Sequence, residues 1–201
     1  MTGATNQPAA SGSKPAQDRV LIPFVEIEKC FTAGECDRIV NFGSGLPLVK
    51  GEATAHDLAP NARNSTITLF GPGPDSQWIF DRVFGVVGGL NRQYWQFELS
   101  GVERIQFSRY GEGEYYDWHM DLAARGTLSR RKVTVTVQLS SPRDYDAGEL
   151  EVNLGSTSRA ASREKGLLVA FPSYGLHRVR PITRGTRYSL SAWFGGETGF
   201  R

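Results

Sequence analysis

From Val102 to Phe194 the chain is a succession of short strand-like runs separated by Gly, Pro and Asp turns. That spacing restricts it to an antiparallel, mainly β architecture, and many short strands of this kind argue for a double-sheet jelly roll, or double-stranded β-helix. Strands are expected over residues 103–110, 115–121, 132–139, 150–153, 166–171, 177–180 and 186–194. Val133-Thr134-Val135-Thr136-Val137-Gln138-Leu139 alternates strictly, with valines on one face and Thr134, Thr136 and Gln138 on the other. The polar face fits the barrel interior and solvent equally well. In the run from Thr186 to Phe194, Arg187, Ser189, Ser191 and Trp193 share one face, and Tyr188, Leu190, Ala192 and Phe194 share the opposite one.

The N-terminal half supplies further strands over residues 20–27 and 65–70, and two helices expected to pack on one sheet. The fold class is therefore α+β, mainly β. Thr32-Ala33-Gly34-Glu35 fits a capping box, so a helix should run through Cys36, Ile39 and Val40 until Gly43 or Gly45 stops it. Asp75 is placed to cap a second helix whose apolar stripe is Ile79, Val83, Val86 with Val87, Leu90 and Tyr94. Trp78 and Trp95 read as packing residues. Gly85, Gly88 and Gly89 interrupt that helix at about 1 kcal/mol each relative to Ala, and close packing against the sheet would be their reason.

The expected organisation is a disordered tail over residues 1–18, rich in small and polar side chains, followed by a single domain over residues 19–201. A net charge of +2 is too small to imply a nucleic-acid partner by itself. Basic clusters at Arg125, Arg130, Arg131 and Lys132, and at Arg178, Arg180 and Arg184, read first as a solvated rim. The other reading is a pocket mouth that recruits an acidic or peptide substrate. Cys30 and Cys36 have no second pair for a zinc site and read as free buried thiols. No apolar run is long enough to span a membrane and no apolar signal core is seen, so a cytoplasmic location is expected.

Chemistry concentrates in few residues. His119 and Asp121, at i and i+2 of a strand-like run, would point to one face and converge on one ion, with His177 completing a triad. Two imidazoles and one carboxylate on one face of an octahedral ion leave three positions open, the arrangement expected of non-heme Fe(II) oxygenases. Only three histidines occur, and the third, His56, lies in a polar loop with no partner in view. Arg187 follows His177 by ten residues on a strand-like run, and an arginine on the pocket face could grip a carboxylate bidentately.

Arg109-Tyr110-Gly111-Glu112-Gly113-Glu114-Tyr115-Tyr116-Asp117-Trp118-His119-Met120-Asp121 resembles the prolyl-4-hydroxylase-type group of Fe(II)/2-oxoglutarate dioxygenases. Ser141-Pro142-Arg143-Asp144-Tyr145-Asp146-Ala147-Gly148-Glu149-Leu150, Ala170-Phe171-Pro172, His177-Arg178-Val179-Arg180-Pro181-Ile182 and Arg184-Gly185-Thr186-Arg187-Tyr188-Ser189 are similar to its bacterial PKHD-type branch. The likeness is specific from about Arg104 to Phe194 and only general from Phe24 to Ser100. It implies that His119, Asp121 and His177 hold Fe(II), that Arg187 pairs with the distal carboxylate of 2-oxoglutarate, that Tyr110 hydrogen-bonds the co-substrate, and that Ser189 assists Arg187. It further implies O2 as a reactant, ascorbate as an auxiliary reductant, and hydroxylation of a C–H bond in a prolyl, peptidyl or amino-acid-like substrate with release of succinate and CO2. Ala147 departs from the branch, which usually has Gly there, in a turn that bears on loop shape. Asp121 is present, unlike in the related halogenases.

Two other classes share parts of this pattern. Nucleic-acid oxidative demethylases use the same triad, but the alkylation-repair enzymes add a second Arg six residues after the first, where this chain has Trp193. A non-catalytic metal-binding jelly-roll sensor gives no reason for Arg187 and Tyr110 to accompany the triad. Trp118 alternates away from His119, which argues against its stacking on a substrate.

Overall fold

A computed structural model describes residues 24–51, 61–153, 155, 157–197 and 200. The tail expected over residues 1–18, and His56, lie outside the described residues. Along the chain come β1 (Val25–Ile27), α1 (Ala33–Ser44), β2 (Val49–Gly51), β3 (Arg63–Phe70), α2 (Gln77–Leu90), β4 (Gly101–Tyr110) and β5 (Tyr115–His119). They are followed by β6 (Arg131–Gln138), β7 (Tyr145–Ala147), β8 (Leu150–Asn153), β9 (Ser158–Ala160), β10 (Leu168–Pro172), β11 (Leu176–Val179), β12 (Ile182–Gly185) and β13 (Arg187–Gly195).

The capping box sets the start of α1: Glu35 N–H donates to Thr32 Oγ1 at 3.3 Å and Thr32 N–H donates to Glu35 Oε2 at 2.8 Å. Gly45 closes the helix, and Gly43 lies inside it. A Cβ at Gly43 would stand 2.5 Å from the Phe107 ring, so the glycine lets α1 lie directly on β4. Helix α2 begins after Ser76, not Asp75, and has no side-chain cap there. Asp75 contributes its carbonyl to Trp78 Nε1 at 2.9 Å instead. The helix passes into a π-helical turn, Asn91–Trp95, so the buried stripe of Ile79, Val83, Val87 and Leu90 ends before Tyr94, which is exposed.

The glycines of α2 do not serve close packing, contrary to the sequence-based expectation. A Cβ at Gly85 or Gly89 would meet nothing within 4 Å, and at Gly88 only the Arg92 guanidinium at 3.7 Å. With helical backbone and open space, Gly85→Ala and Gly89→Ala should each stabilise the protein by about 0.5–1 kcal/mol, read as a higher urea midpoint with unchanged slope.

The strands form one curled antiparallel sheet of eleven, ordered β1-β10-β6-β13-β4-β3-β5-β11-β8-β9, with β2 added on β3; β7 and β12 pair separately. The curl turns at β3, whose Thr66–Phe70 end pairs with β4 while Arg63 and Asn64 pair with β5. This closure of two sheets over one interior is a jelly roll. The valines of β6, with Ile105, Phe107, Leu190, Ala192 and Phe194, pack outward against Ile39 of α1 and the α2 stripe. A second apolar cluster, including Phe24, Tyr145, Leu150, Val169, Phe171 and Ile182, lies apart from the first. The polar faces of β4, β6 and β13 look the other way, into the interior, which settles the open question about Thr134, Thr136 and Gln138.

Cys30 and Cys36 are free and buried, and burial pushes both thiols up to about 11. Unfolded thiols ionise near 9, so the folded state holds these protons more tightly, and stability from this source is full below pH 9 and lost as pH rises from 9 to 11. Native protein at pH 8 should resist iodoacetamide, reacting at rates that track unfolding, and urea midpoints should fall between pH 8 and pH 10.5. Among the described residues no helix is long and apolar enough to cross a membrane.

Candidate functional site

Strands β5 and β11 place His119 and His177 directly opposite each other, with ring centroids 4.0 Å apart. A separation of 58 residues in sequence is thus closed by one antiparallel register. Each imidazole is oriented by the carbonyl two residues before it: His119 Nδ1 lies 2.7 Å from the Asp117 oxygen, and His177 Nδ1 2.9 Å from that of Gly175. Those carbonyls can only accept, so each Nδ1 carries a proton and each Nε2 is the ring nitrogen left facing the interior to ligate an ion.

Asp121 reaches the same point by a route the strand pleat did not predict. Strand β5 ends at His119, and Asp121 lies beyond it. Its carboxylate is positioned by β6, where Thr134 Oγ1 donates to Oδ2 at 2.8 Å, and by the Arg131 guanidinium 4.0 Å from Oδ1. Asp121 Oδ2 stands 3.4 Å from His177 Nε2, and Oδ1 3.9 Å from His119 Nε2. One ligand atom from each of the three lies within 4.8 Å of the others, and all three side chains are buried. Donors converging at such separations fit a single ion at the usual metal–nitrogen and metal–oxygen distances of about 2.0–2.2 Å.

The electrostatics suit a cation. Burial, reinforced by His177, depresses His119 to about 3, so its imidazole is neutral at ordinary pH. Burial pushes the Asp121 carboxyl upward, but His177, His119 and Arg131 outweigh it and hold it below the usual carboxylate range. The site therefore presents one ionised carboxylate beside the neutral His119 imidazole, with the His177 ring held against both. Tyr116 stacks on His119 at 3.4 Å, with Arg63 over Tyr116 at 4.6 Å, and the Phe171 ring meets His177 at 4.8 Å. A stacked contact on His119 and an edge-on contact on His177 fix the ring planes.

Arg187 lies at the far end of the same interior and is fully buried. Its Nη2 donates to Gln138 Oε1 at 2.8 Å, its Nη1 to Ser189 Oγ at 3.3 Å, and its guanidinium lies 5.5 Å from the Tyr110 ring centre. Arg187 Nε and Gln138 Nε2 are buried donors without an acceptor among the described residues. Buried polar groups are nearly always paired, so two orphaned donors at one place mark where an acceptor-rich ligand belongs. Among the described residues no carboxylate forms an ion pair with Arg187.

A cavity of about 460 Å³ joins this end to the His-Asp-His cluster. The interior face of the sheet beneath it runs in cross-strand rows: Tyr110 beside Arg187, then Ser108, Ser189 and Gln138, then Gln106, Ser191 and Thr136, then Trp193 and Thr134. The structure thus brings together His119, Asp121, His177, Arg187, Tyr110 and Ser189. Sequence reading left Thr134, Gln138, Tyr116, Arg131 and Trp193 unassigned. The alternation in β6 was a usable signal for the first two; for the others only the fold reveals it. Arg131 and Lys132 do not belong to a solvated rim: Arg131 stacks on Trp193 at 4.1 Å and lines the cavity, and Lys132 is buried with its ammonium 4.7 Å from the Phe200 ring. Trp118 faces away from His119 and stacks under Arg178 at 4.6 Å. Ala147 has φ +58°, a left-handed conformation that suits the Gly usual in the branch better than Ala.

Comparison with known proteins bears on this geometry. Residues 105–195 match the family model of the 2OG-Fe(II) oxygenase superfamily. A PKHD-type hydroxylase of Acaryochloris marina is 31% identical over 169 residues, spanning 83% of this chain and 75% of the relative. One from Synechococcus sp. is 38% identical over 95 residues, 46% of this chain and 42% of the relative. The matched region thus spans under half the length of several such relatives. Among solved structures, a viral collagen prolyl hydroxylase from Paramecium bursaria Chlorella virus-1 superposes with TM-score 0.67 at 21% identity, covering 88% of this chain and 97% of that one. A prolyl hydroxylase from Trichoplax adhaerens, solved with a hypoxia-inducible-factor peptide fragment, gives TM-score 0.70 at 18% identity, covering 86% and 83%. At such identities these two establish a common fold.

Proposed function

The chain belongs to the PKHD-type branch of the 2OG-Fe(II) oxygenase superfamily, and from that membership we propose that it is an Fe(II)- and 2-oxoglutarate-dependent dioxygenase hydroxylating a C–H bond of a prolyl, peptidyl or amino-acid-like substrate. The observation that carries the proposal is the pairing, in one cavity, of a buried His-Asp-His donor set with a buried arginine that has no anionic partner among the described residues.

His119 Nε2, the Asp121 carboxylate and His177 Nε2 would hold the metal on one face. Arg187, supported by Gln138 and Ser189, would receive the distal carboxylate of 2-oxoglutarate, and the Tyr110 hydroxyl would hydrogen-bond the co-substrate from the neighbouring strand. When bound, the metal and co-substrate supply O2 activation coupled to decarboxylation, with succinate and CO2 released as a C–H bond becomes C–OH. The protein's part is positional. Carbonyl-oriented imidazoles hold the ligand lone pairs inward, Thr134 fixes the carboxylate rotamer, and the apolar packing around Phe171 and Val179 keeps bulk water from one side of the site.

Anaerobic titration of apo-protein with Fe(II) and then 2-oxoglutarate tests this directly. A visible metal-to-ligand charge-transfer band is expected only when both are present. A folded protein that develops no band refutes the proposal and favours a non-catalytic metal-binding jelly roll.

A further inference from the structure

The half of the cavity not needed for metal and co-substrate has a chemistry of its own. Along β13 the distance from Arg187 to Trp193 is six residues, about 20 Å. The metal cluster adjoins the Thr134–Trp193 row, because Thr134 holds Asp121. Space on the Arg187 side of that row belongs to the co-substrate, and space on the Trp193 side is left for the substrate.

Among the described residues, the strong polar groups on that substrate side are donors. Trp193 is buried, lines the cavity, and its Nε1–H has no acceptor among the described residues. Arg131 lies with its guanidinium stacked on the same indole. Arg104 lines the mouth in the part of β4 where the register with β13 slips beside Trp193; it is exposed and has no ion-pair partner among the described residues. Arg63 lines the metal side with a buried Nη2 that has no acceptor among the described residues. Indole and guanidinium groups cannot accept hydrogen bonds. Asp121 is the one acid among the described lining residues. With a divalent ion and a dianionic co-substrate in place, the described lining of the loaded pocket is formally cationic, four guanidinium groups standing against Asp121 alone. Leu69 and Met120 flank the mouth with exposed apolar side chains.

We propose, building on the dioxygenase reading above, that the substrate bears a carboxylate close to the carbon that is hydroxylated, and that Arg131, the Trp193 indole N–H and Arg104 receive it. The apolar side chains at the mouth accept the ring or aliphatic part, and the donors select the charge. The carboxylate can come from an acidic side chain in a peptide or from a main-chain carboxyl terminus, and the two sources are separable.

The test is calorimetric binding to protein loaded anaerobically with Fe(II) and 2-oxoglutarate, using two matched probe pairs. One pair is acetyl-Pro-Glu-amide against acetyl-Pro-Gln-amide, and the other is acetyl-Gly-Pro with a free carboxylate against its amide. The charged member of at least one pair should bind about tenfold tighter at low salt, with the preference shrinking as ionic strength rises, and the pair that responds identifies the source. Arg104→Gln should reduce the preference and Arg104→Glu should reverse it. An exposed substitution that merely damaged the fold would weaken both members alike. Equal affinity within both pairs for the wild type, or an unchanged preference in Arg104→Glu, overturns the proposal. If that happens while the charge-transfer band is intact, the dioxygenase reading survives; loss of the band removes both.

Discussion

Asp121→Ala is expected to abolish 2-oxoglutarate turnover and to weaken Fe(II) binding by on the order of a hundredfold or more, while the fold survives. Asp121 is the only carboxylate among the described residues lining the cavity, and it stands within 3.9 Å of both histidine Nε2 atoms. Without it a divalent ion would enter a pocket lined by four guanidinium groups with no compensating protein charge. Stability should fall by about 3 kcal/mol at most: the attractions that outweigh the carboxylate's desolvation are lost, and the contacts its partners retain limit the cost. Its partners also keep other contacts: the Thr134 hydroxyl lies 3.1 Å from Ser173 Oγ and Arg131 remains on Trp193. His119→Ala should give the same loss of activity. The checks are the charge-transfer titration, succinate formation and thermal unfolding of the apo-protein. Retained turnover in either variant would refute the ligand assignment.

Arg187→Met separates co-substrate binding from metal binding. Methionine keeps much of the side chain's length and removes the charged fork, so 2-oxoglutarate affinity should fall by two to three orders of magnitude, about 3–4 kcal/mol. Fe(II) affinity should stay within a few-fold, since Arg187 lies at the other end of the cavity. Apo stability should move in the unusual direction. In the apo-protein the fully buried guanidinium has no carboxylate partner among the described residues, and its Nε has no acceptor. Replacing an uncompensated buried charge with an apolar side chain of similar volume is neutral or stabilising. Wild-type protein with metal and saturating 2-oxoglutarate should gain about 2.7 kcal/mol at a hundred times Kd, and Arg187→Met should show almost none of that gain. A variant that binds 2-oxoglutarate as tightly as wild type would remove Arg187 from the co-substrate site.

The elements legible beforehand were those governed by local rules. Capping chemistry at Thr32 and Glu35 needs four residues, and period-two alternation in β6 and β13 needs only the pleat. The misread elements involve competition between local signals and neighbours. Asp75 looked like a cap, but the helix starts one residue later, and the π-helical turn at Asn91–Trp95 rotates the backbone so that Tyr94 leaves the stripe. Gly85 and Gly89 looked like packing glycines, yet among the described residues nothing lies within 4 Å of a Cβ at either.

By itself, then, the sequence determined which side chains were available for the chemistry and which strand face each would occupy, because both follow from residue identity and a two-residue repeat. Arg187, Ser189 and Trp193 had to share a face whatever lay across from them. Tertiary structure alone decided what that face looks at and what lies opposite. The register of β5 with β11 puts His119 against His177, a hydrogen bond from β6 draws Asp121 in after its strand has ended, and the curl at β3 turns the polar faces of β4, β6 and β13 inward. Such contacts join residues tens of positions apart, and their geometry follows from how two sheets close over one another, which no local repeat encodes.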